Sequence, residues 1–138
     1  MSSSPDTGYS GTPLPTKLGI KAGSRVLVVG ASPDFDLGPL PEGVAVHTRR
    51  RGSPYQVGVL FAPTHDRLVR RWPSLHAAVT PAGRLWVAWP KKASGVVTDL
   101  DENLVRDYGL SHGRVDMKVC AIDATWSGLG FVARLVDR

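Results

Sequence analysis

Two basic loops carry the side chains of this chain that are best suited to binding an anion. One of them contains, in chain order, Lys91, Lys92, Ser94, Gly95 and Thr98, with Thr98 as the expected N-cap of a helix. The free amides and the dipole at a helix N-terminus attract phosphate and carboxylate groups. The other loop, Arg49-Arg50-Arg51, is of the kind that holds a 2′-phosphate. The sequence therefore predicts a small anionic ligand, with plain solvated surface charge as the alternative.

The positive charge is concentrated in the middle of the chain. The 138 residues carry a formal net charge of +5, and residues 47–92 hold nine basic residues and one acidic residue. Nucleic acid is therefore a second class of partner, with Trp89 as a candidate for stacking on a base. Three of these charges, Arg67, Arg70 and Arg71, are expected to form one solvated helix face.

Residues suited to catalysis or metal binding are few. His65 with Asp66, and Asp123 near Ser127, offer acid and base groups, but a His at a helix start and an Asp in a hairpin turn are typically caps. No His or Cys cluster has metal-ligand spacing, so no metal site is predicted and the catalytic residues stay unknown. Cys120 lies in an alternating apolar run and is expected to be a buried strand thiol.

The elements that position these residues are predicted from apolar periodicity and turn signals. The expected strands at 25–29 and 57–61 contain runs of consecutive apolar residues, which indicate burial on both faces, as in a parallel sheet covered by helices. Further strands are expected at 44–48, 84–89, 115–122 and 130–136, the last two forming an antiparallel hairpin. Helices are expected at 12–18, at 65–79 with a kink or restart at Pro73, and at 99–108 with a cap at Gly109; residues 32–40 have room for one helical turn.

Composition favours one soluble domain. The length suits a single domain at 12–138, preceded by a Ser-, Gly- and Pro-rich flexible segment at 1–11. No apolar run approaches the ~20 residues that span a membrane, so no membrane partner is expected. The start of the chain has no signal-peptide pattern, which predicts the cytoplasm.

The order of elements resembles that of class I S-adenosylmethionine-dependent methyltransferases. The resemblance includes Leu18-Gly-Ile-Lys-Ala-Gly-Ser-Arg-Val-Leu27 before the first strand and Val79-Thr-Pro-Ala-Gly-Arg-Leu-Trp-Val87 before the fourth. It implies an α/β, minimal Rossmann-like (methyltransferase-like) fold with a mostly parallel six-stranded sheet of order 2-1-3-4-6-5, its last strand antiparallel. Because residues 49–54 leave no space for the helix, strand and helix of that family, we expect a truncated, degenerate version.

The residues at the family's cofactor contacts differ from the pattern of the resemblance. Gly30 stands alone before Pro33, the second strand ends in Thr48-Arg49 in place of an acid, and Phe61-Ala-Pro-Thr64-His65 follows the third strand. We therefore predict no cofactor, and these residues argue against S-adenosylmethionine.

A second resemblance, to a family of short bacterial proteins, implies no particular activity. It covers four runs: Gly8-Tyr-Ser-Gly-Thr-Pro-Leu14, Trp86-Val-Ala-Trp-Pro-Lys-Lys-Ala-Ser-Gly95, Thr98-Asp-Leu100 and Val115-Asp-Met-Lys-Val-Cys-Ala-Ile-Asp-Ala-Thr-Trp-Ser-Gly-Leu129.

Open α/β sheets bind ligands beyond the carboxyl ends of their strands. That rule selects as candidate ligand-binding residues Gly30, Ser32, Arg49, Arg50, Thr64, His65, Lys91, Lys92, Ser94, Gly95 and Thr98. We predict a non-methylating binding or regulatory module. The alternatives are an enzyme acting on a small phosphate- or carboxylate-bearing substrate and a nucleic-acid-binding protein. The missing helix beside strand two would leave apolar sheet surface for a second copy, which predicts a homodimer.

Overall fold

A six-stranded sheet organises the computed structural model, which describes residues 11–52 and 54–138. Its strands are β1 (Arg25–Val29), β2 (Ala45–His47), β3 (Tyr55–Phe61), β4 (Val79–Pro90), β5 (Arg114–Ala121) and β6 (Trp126–Ala133). The helices are α1 (Leu14–Leu18), α2 (His65–Ala78) and α3 (Glu102–Ser111), with short 3-10 turns at Lys92–Ser94 and Leu135–Asp137. The predicted flexible segment at 1–11 lies, apart from Gly11, outside the described residues.

The strand order is β2-β1-β3-β4-β6-β5. Strand β1 pairs in parallel with β2 and β3, and β3 pairs in parallel with β4. Strand β6 runs antiparallel to both of its neighbours, β4 and β5. The order implied by the resemblance to class I methyltransferases is confirmed, and so is the antiparallel final hairpin that the short connection between the last two strands predicted.

Three features in the first two thirds of the chain differ from the prediction. Strand β4 begins at Val79, not at residue 84, because Val79 pairs with Tyr55 and a bulge absorbs the extra residues before Val57 pairs with Arg84. Helix α2 is one continuous helix that contains Pro73, so it does not restart there, and Trp72 and Leu75 on either side of the proline are buried in the core. Residues 32–40 contain no helix, only a turn closed by the Phe35 amide on the Ser32 carbonyl.

Strand β6 begins at Trp126, four residues before the predicted start at residue 130. Its early part pairs with the end of β4, and Gly128 fits there because an added Cβ would lie 2.8 Å from Ile122 Cδ1. This glycine therefore makes space in a crowded part of the sheet.

Helix α3 is shifted towards the C-terminus relative to its predicted position. Asp101 is the N-cap and accepts from the Leu104 amide at 2.9 Å, whereas the predicted cap, Thr98, accepts from the Leu100 amide at 3.0 Å in the preceding turn. Gly109 is no cap: it lies inside the helix, where an added Cβ would be 2.1 Å from Phe131 Cε1. The glycine is needed for close contact between α3 and the sheet.

The core has one layer on each face of the sheet. Helices α2 and α3 cover the face that contains Leu27, Leu60 and Phe131, while α1 and the loop after β1 cover the other face. On that second face Trp86 is fully buried and donates from Nε1 to the Leu18 carbonyl at 3.0 Å. This bond ties α1 to the centre of the sheet.

A buried cation joins α2 to β5. Arg114 is 2% exposed and donates to His76 through Nε–H···Nδ1 at 2.9 Å and through Nη2 to the His76 carbonyl at 3.2 Å. Burial first, and then the Arg114 charge, lower the pKa of His76 below its ordinary value of 6.5. The hydrogen bond from the guanidinium requires an unprotonated Nδ1 on His76, which agrees with the direction of this pKa shift.

We expect acid to weaken the fold through His76. The unfolded chain binds the His76 proton more readily, so this stabilisation is present above pH 6.5 and is lost as the pH falls towards the lowered folded pKa. Urea unfolding between about pH 7.5 and about pH 5.5 should show a smaller decline in His76→Gln, whose amide oxygen still accepts from Arg114. The exposed His65→Gln on the same helix is the control, and an equal decline in all three proteins would contradict the assignment.

We expect Gly109→Ala to destabilise the protein. Alanine normally improves a helix interior by about 1 kcal/mol, but here its methyl group meets the Phe131 ring, and such overpacking costs about 1–3 kcal/mol. Chemical denaturation measures the change. The double variant with Phe131→Leu should lose less stability than the sum of the single changes, whereas additive losses would refute the contact.

Candidate functional site

A short crossover positions the candidate site. Parallel strands β2 and β3 lie on opposite sides of β1, so the chain must pass over β1 to connect them. Only residues 48–54 make this connection, whereas a parallel crossover usually takes about a dozen residues or more and includes a helix. The described residues of this crossover, 48–52 and 54, form no helix or strand, so its position depends on contacts with the strands beneath it.

Tyr55 and Arg25 hold the crossover in place. The Tyr55 side chain is fully buried, and its hydroxyl accepts from the Arg51 amide at 3.0 Å and lies 2.7 Å from His47 Nδ1. Arg25 donates from Nη2 to the Arg51 carbonyl at 2.6 Å and from Nη1 to the Pro54 carbonyl at 2.9 Å. Its guanidinium also lies over the Tyr55 ring, 4.3 Å from the centroid. The basic turn is thus fixed from both ends.

An apolar cleft of about 380 Å³ lies at the carboxyl ends of β1 and β2. The loop after β1 forms its wall, because Phe35 packs edge-on against Phe61 with ring centroids 4.8 Å apart and Leu37 is buried. We use the name "apolar cleft" for the space lined by Val28, Gly30, Ala31, Ser32, Pro33, Phe35, Asp36, Leu37, Gly38, Leu40, Val46 and Thr48. Asp36 accepts from the Gly38 amide at 2.8 Å and shapes the loop.

A second space lies on the other face of the sheet, between the crossover and α2. It consists of two adjoining hollows of about 230 and 200 Å³ that share Val29, Thr48, Arg49 and Arg71. We call it the arginine cleft, after the polar side chains that line it, namely Thr48, Arg49, Arg50, Arg67, Arg71 and Ser74. Within the described chain no acidic residue lines this cleft.

The two clefts meet over the strand ends at Gly30 and Thr48, which line both. Gly30 has φ of 81°, and an added Cβ would lie 2.8 Å from the Phe61 carbonyl oxygen. Glycine is required there because the backbone turns left-handed and passes close to β3. The result is a continuous rim with apolar surface on one side and guanidinium groups on the other.

In the loops after β3 and β4, polar groups at the start of α2 form hydrogen bonds within the protein. The His65 amide at the start of α2 donates to Asp99 Oδ1 at 2.8 Å, and Thr64 accepts from the Arg67 amide at 3.2 Å. The chain thus supplies its own carboxylate to this helix N-terminus.

The predicted anion loop is similarly closed on itself. The amides of Ser94 and Gly95 donate to the carbonyls of Lys91 and Lys92 at 3.0 and 3.2 Å. The helix that follows starts with the acidic residues Asp101 and Glu102. A ligand site in this loop stays a prediction, but these two amides are already engaged.

The predicted site residues therefore fall into two groups. Gly30, Ser32, Arg49 and Arg50 line the two clefts around Thr48. The remaining residues do not line them: Thr64, His65, Lys91, Lys92, Ser94, Gly95 and Thr98.

Sequence reasoning expected Arg67 and Arg71 on a solvated helix face and did not consider Ser74; all three are exposed, and they also line the arginine cleft. These residues lie one position before the buried residues Leu68, Trp72 and Leu75, so they border the stripe that packs on the sheet. Their position beside the buried stripe could have indicated that they lie near the sheet. That they face the crossover follows only from the tertiary structure.

The candidate catalytic groups have structural contacts. Asp123 Oδ1 accepts from the Thr125 and Trp126 amides at 2.8 and 2.9 Å, as expected of a turn cap. Cys120 is half-buried in β5, and burial raises the pKa of its thiol. Across residues 11–52 and 54–138 no group of His, Cys, Asp and Glu is placed to hold a metal ion.

The fold is similar to that of several solved methylases and S-adenosyl ligand complexes. The structure of DhpI with SAH has a TM-score of 0.58 at 11% identity, with 89% of this chain and 83% of that chain covered. An rRNA methylase from Streptococcus thermophilus has a TM-score of 0.55 at 8% identity, with coverage of 91% and 99%. The structure of DhpI with SAM and HEP has a TM-score of 0.53 at 9% identity, with 80% of this chain and 78% of that chain covered.

These comparisons establish a methyltransferase-like fold in a small protein. No family model matches the sequence, and no curated protein matches it. In the parts of the chain that the structure describes, no helix is both long and apolar enough to cross a membrane.

We expect Tyr55→Phe to loosen the crossover. Loss of the hydroxyl leaves the Arg51 amide and His47 without their partner, at a cost of about 1–3 kcal/mol. Urea denaturation measures this loss, and hydrogen exchange should show faster exchange of the Arg51 amide. Tyr108→Phe is the control, since its hydroxyl makes no hydrogen bond with any described residue; equal stability of Tyr55→Phe and wild type would disprove the role of the hydroxyl.

Proposed function

We propose that this protein is a non-methylating binding module that holds a small anionic ligand across the carboxyl ends of β1 and β2. The observation that supports this most directly is the shared rim, where an apolar cleft and an arginine cleft meet at Gly30 and Thr48. A ligand with an apolar ring and an anionic group complements both sides of the rim. Few polar groups beside a largely apolar cleft are typical of small-molecule sites.

The charge of the site supports an anion over S-adenosylmethionine. That cofactor carries a sulfonium cation, and the structures of DhpI with SAM and SAH make it the first competing ligand to test. In this chain Thr48 and Arg49 follow β2, and Arg67 and Arg71 lie opposite. Guanidinium groups repel a sulfonium and attract an anion.

Binding should require the apolar cleft. We expect a ring-bearing anion from a panel of AMP, ADP and indole-3-carboxylate to raise the melting temperature, since a ligand that binds only the folded state stabilises it. In Val46→Gln this shift should shrink, because the substitution places an amide in the apolar cleft. Calorimetric titration then gives the loss in affinity, which we expect to be about tenfold.

Val69→Gln is the matched control, because Val46 and Val69 are similarly exposed, at 38% and 40%, and Val69 lines neither cleft. S-adenosylmethionine and SAH belong in the same panel, with transfer of a labelled methyl group as a second readout. The proposal fails if no ring-bearing anion binds, if Val46→Gln binds like wild type, or if a methyl group is transferred.

The homodimer stays a prediction. Leu40 and Val46 are exposed beside the edge strand β2, and both line the apolar cleft. A second copy covering this apolar surface would therefore also cover the proposed ligand site.

A further inference from the structure

Four arginines line the arginine cleft without acidic partners to balance them. The ion pairs within residues 11–52 and 54–138 join Arg70 to Asp66 and Arg106 to Glu102 and Asp116. None of them involves a residue of the arginine cleft. A single carboxylate on a ligand would leave most of this charge uncompensated.

Helix α2 contains both kinds of arginine, one with an acidic partner and two without one among the described residues. Arg70 forms an ion pair with Asp66 at 2.9 Å on the exposed side of the helix. Arg67 lies in the first turn, where the helix dipole disfavours a cation, and Arg71 follows one turn later as a like charge. These two positions weaken the unliganded helix, and a multiply charged anion would offset that cost.

The polar groups fit one class of anion. Guanidinium groups bind phosphate oxygens with two parallel hydrogen bonds, and Thr48 and Ser74 add hydroxyl donors at the same cleft. We propose that the arginine cleft binds the diphosphate group of a small ligand whose apolar part lies in the apolar cleft. This inference rests on the proposed function and specifies its anionic group.

A small diphosphate suits the site better than a nucleic-acid strand. The hollows of the arginine cleft measure only about 230 and 200 Å³. Trp89, the aromatic residue predicted to stack on a base, is 6% exposed and is therefore part of the core. Single-strand binding usually needs accessible aromatic rings along a basic groove.

The test uses pyrophosphate alone, titrated by calorimetry at constant ionic strength. We expect Arg67→Gln and Arg71→Gln each to weaken pyrophosphate binding by about tenfold or more, since each removes charge-assisted hydrogen bonds. Arg70→Gln, on the same helix but paired with Asp66, should stay within about twofold of wild type. Without ligand, Arg67→Gln should melt no lower than wild type, which separates lost binding from lost folding.

Several results would overturn the inference. They are absence of pyrophosphate binding to wild type, binding of indole-3-carboxylate at least as tightly as ADP, and an equal loss in Arg70→Gln. Binding of a single-stranded RNA that pyrophosphate does not displace would also overturn it. If ring-bearing carboxylates bind and require Val46 while pyrophosphate does not bind, the diphosphate inference fails and the proposed function stands. If pyrophosphate binds but no ring-bearing anion does, the proposed function fails and the inference built on it falls as well.

Discussion

The short connection from β2 to β3 is the constraint on which the candidate site depends. A parallel crossover normally contains a helix that covers the sheet, but residues 48–54 leave space only for a turn. Hydrogen bonds from Arg25 and to Tyr55 hold that turn over β1. Because no helix fills the space beyond it, the ends of β1 and β2 stay accessible on both faces of the sheet, and the two clefts occupy this space.

The same constraint explains where the charge is concentrated. The turn brings Arg49 and Arg50 opposite the polar row of α2 that contains Arg67 and Arg71. The crossover and α2 thus contribute like charges to one cleft. A cleft lined by one sign of charge attracts ligands of the opposite charge.

The parallel strands were predictable because consecutive apolar residues at 26–29 and 57–61 indicate burial on both faces, whereas their order was implied by the resemblance to class I methyltransferases. The ends of helices that are set by contacts between distant residues could not be predicted in this way. Gly109 has the sequence signature of a helix cap, but the ring of Phe131 requires a glycine there. Thr98 and Asp101 are both good N-caps, and only the structure shows that Asp101 accepts from Leu104 while Thr98 closes the turn before it. The basic crossover was recognised as a candidate anion site, whereas nothing in the sequence indicated that the exposed Arg67 and Arg71 of α2 lie across the same cleft.

A shared fold leaves the ligand undetermined because the strands and the site obey different physical requirements. The sheet needs apolar residues at alternating or consecutive positions, and many sequences satisfy that need, which is why likeness to DhpI persists at 11% identity. Ligand choice depends instead on a few side chains beyond the strand ends. Thr48 and Arg49 follow β2 and present a positive charge at the end of the strand, and neither residue takes part in the pairing of β2 with β1. The electrostatics of the cleft, more than the order of the strands, therefore provide the physical basis for assigning its ligand.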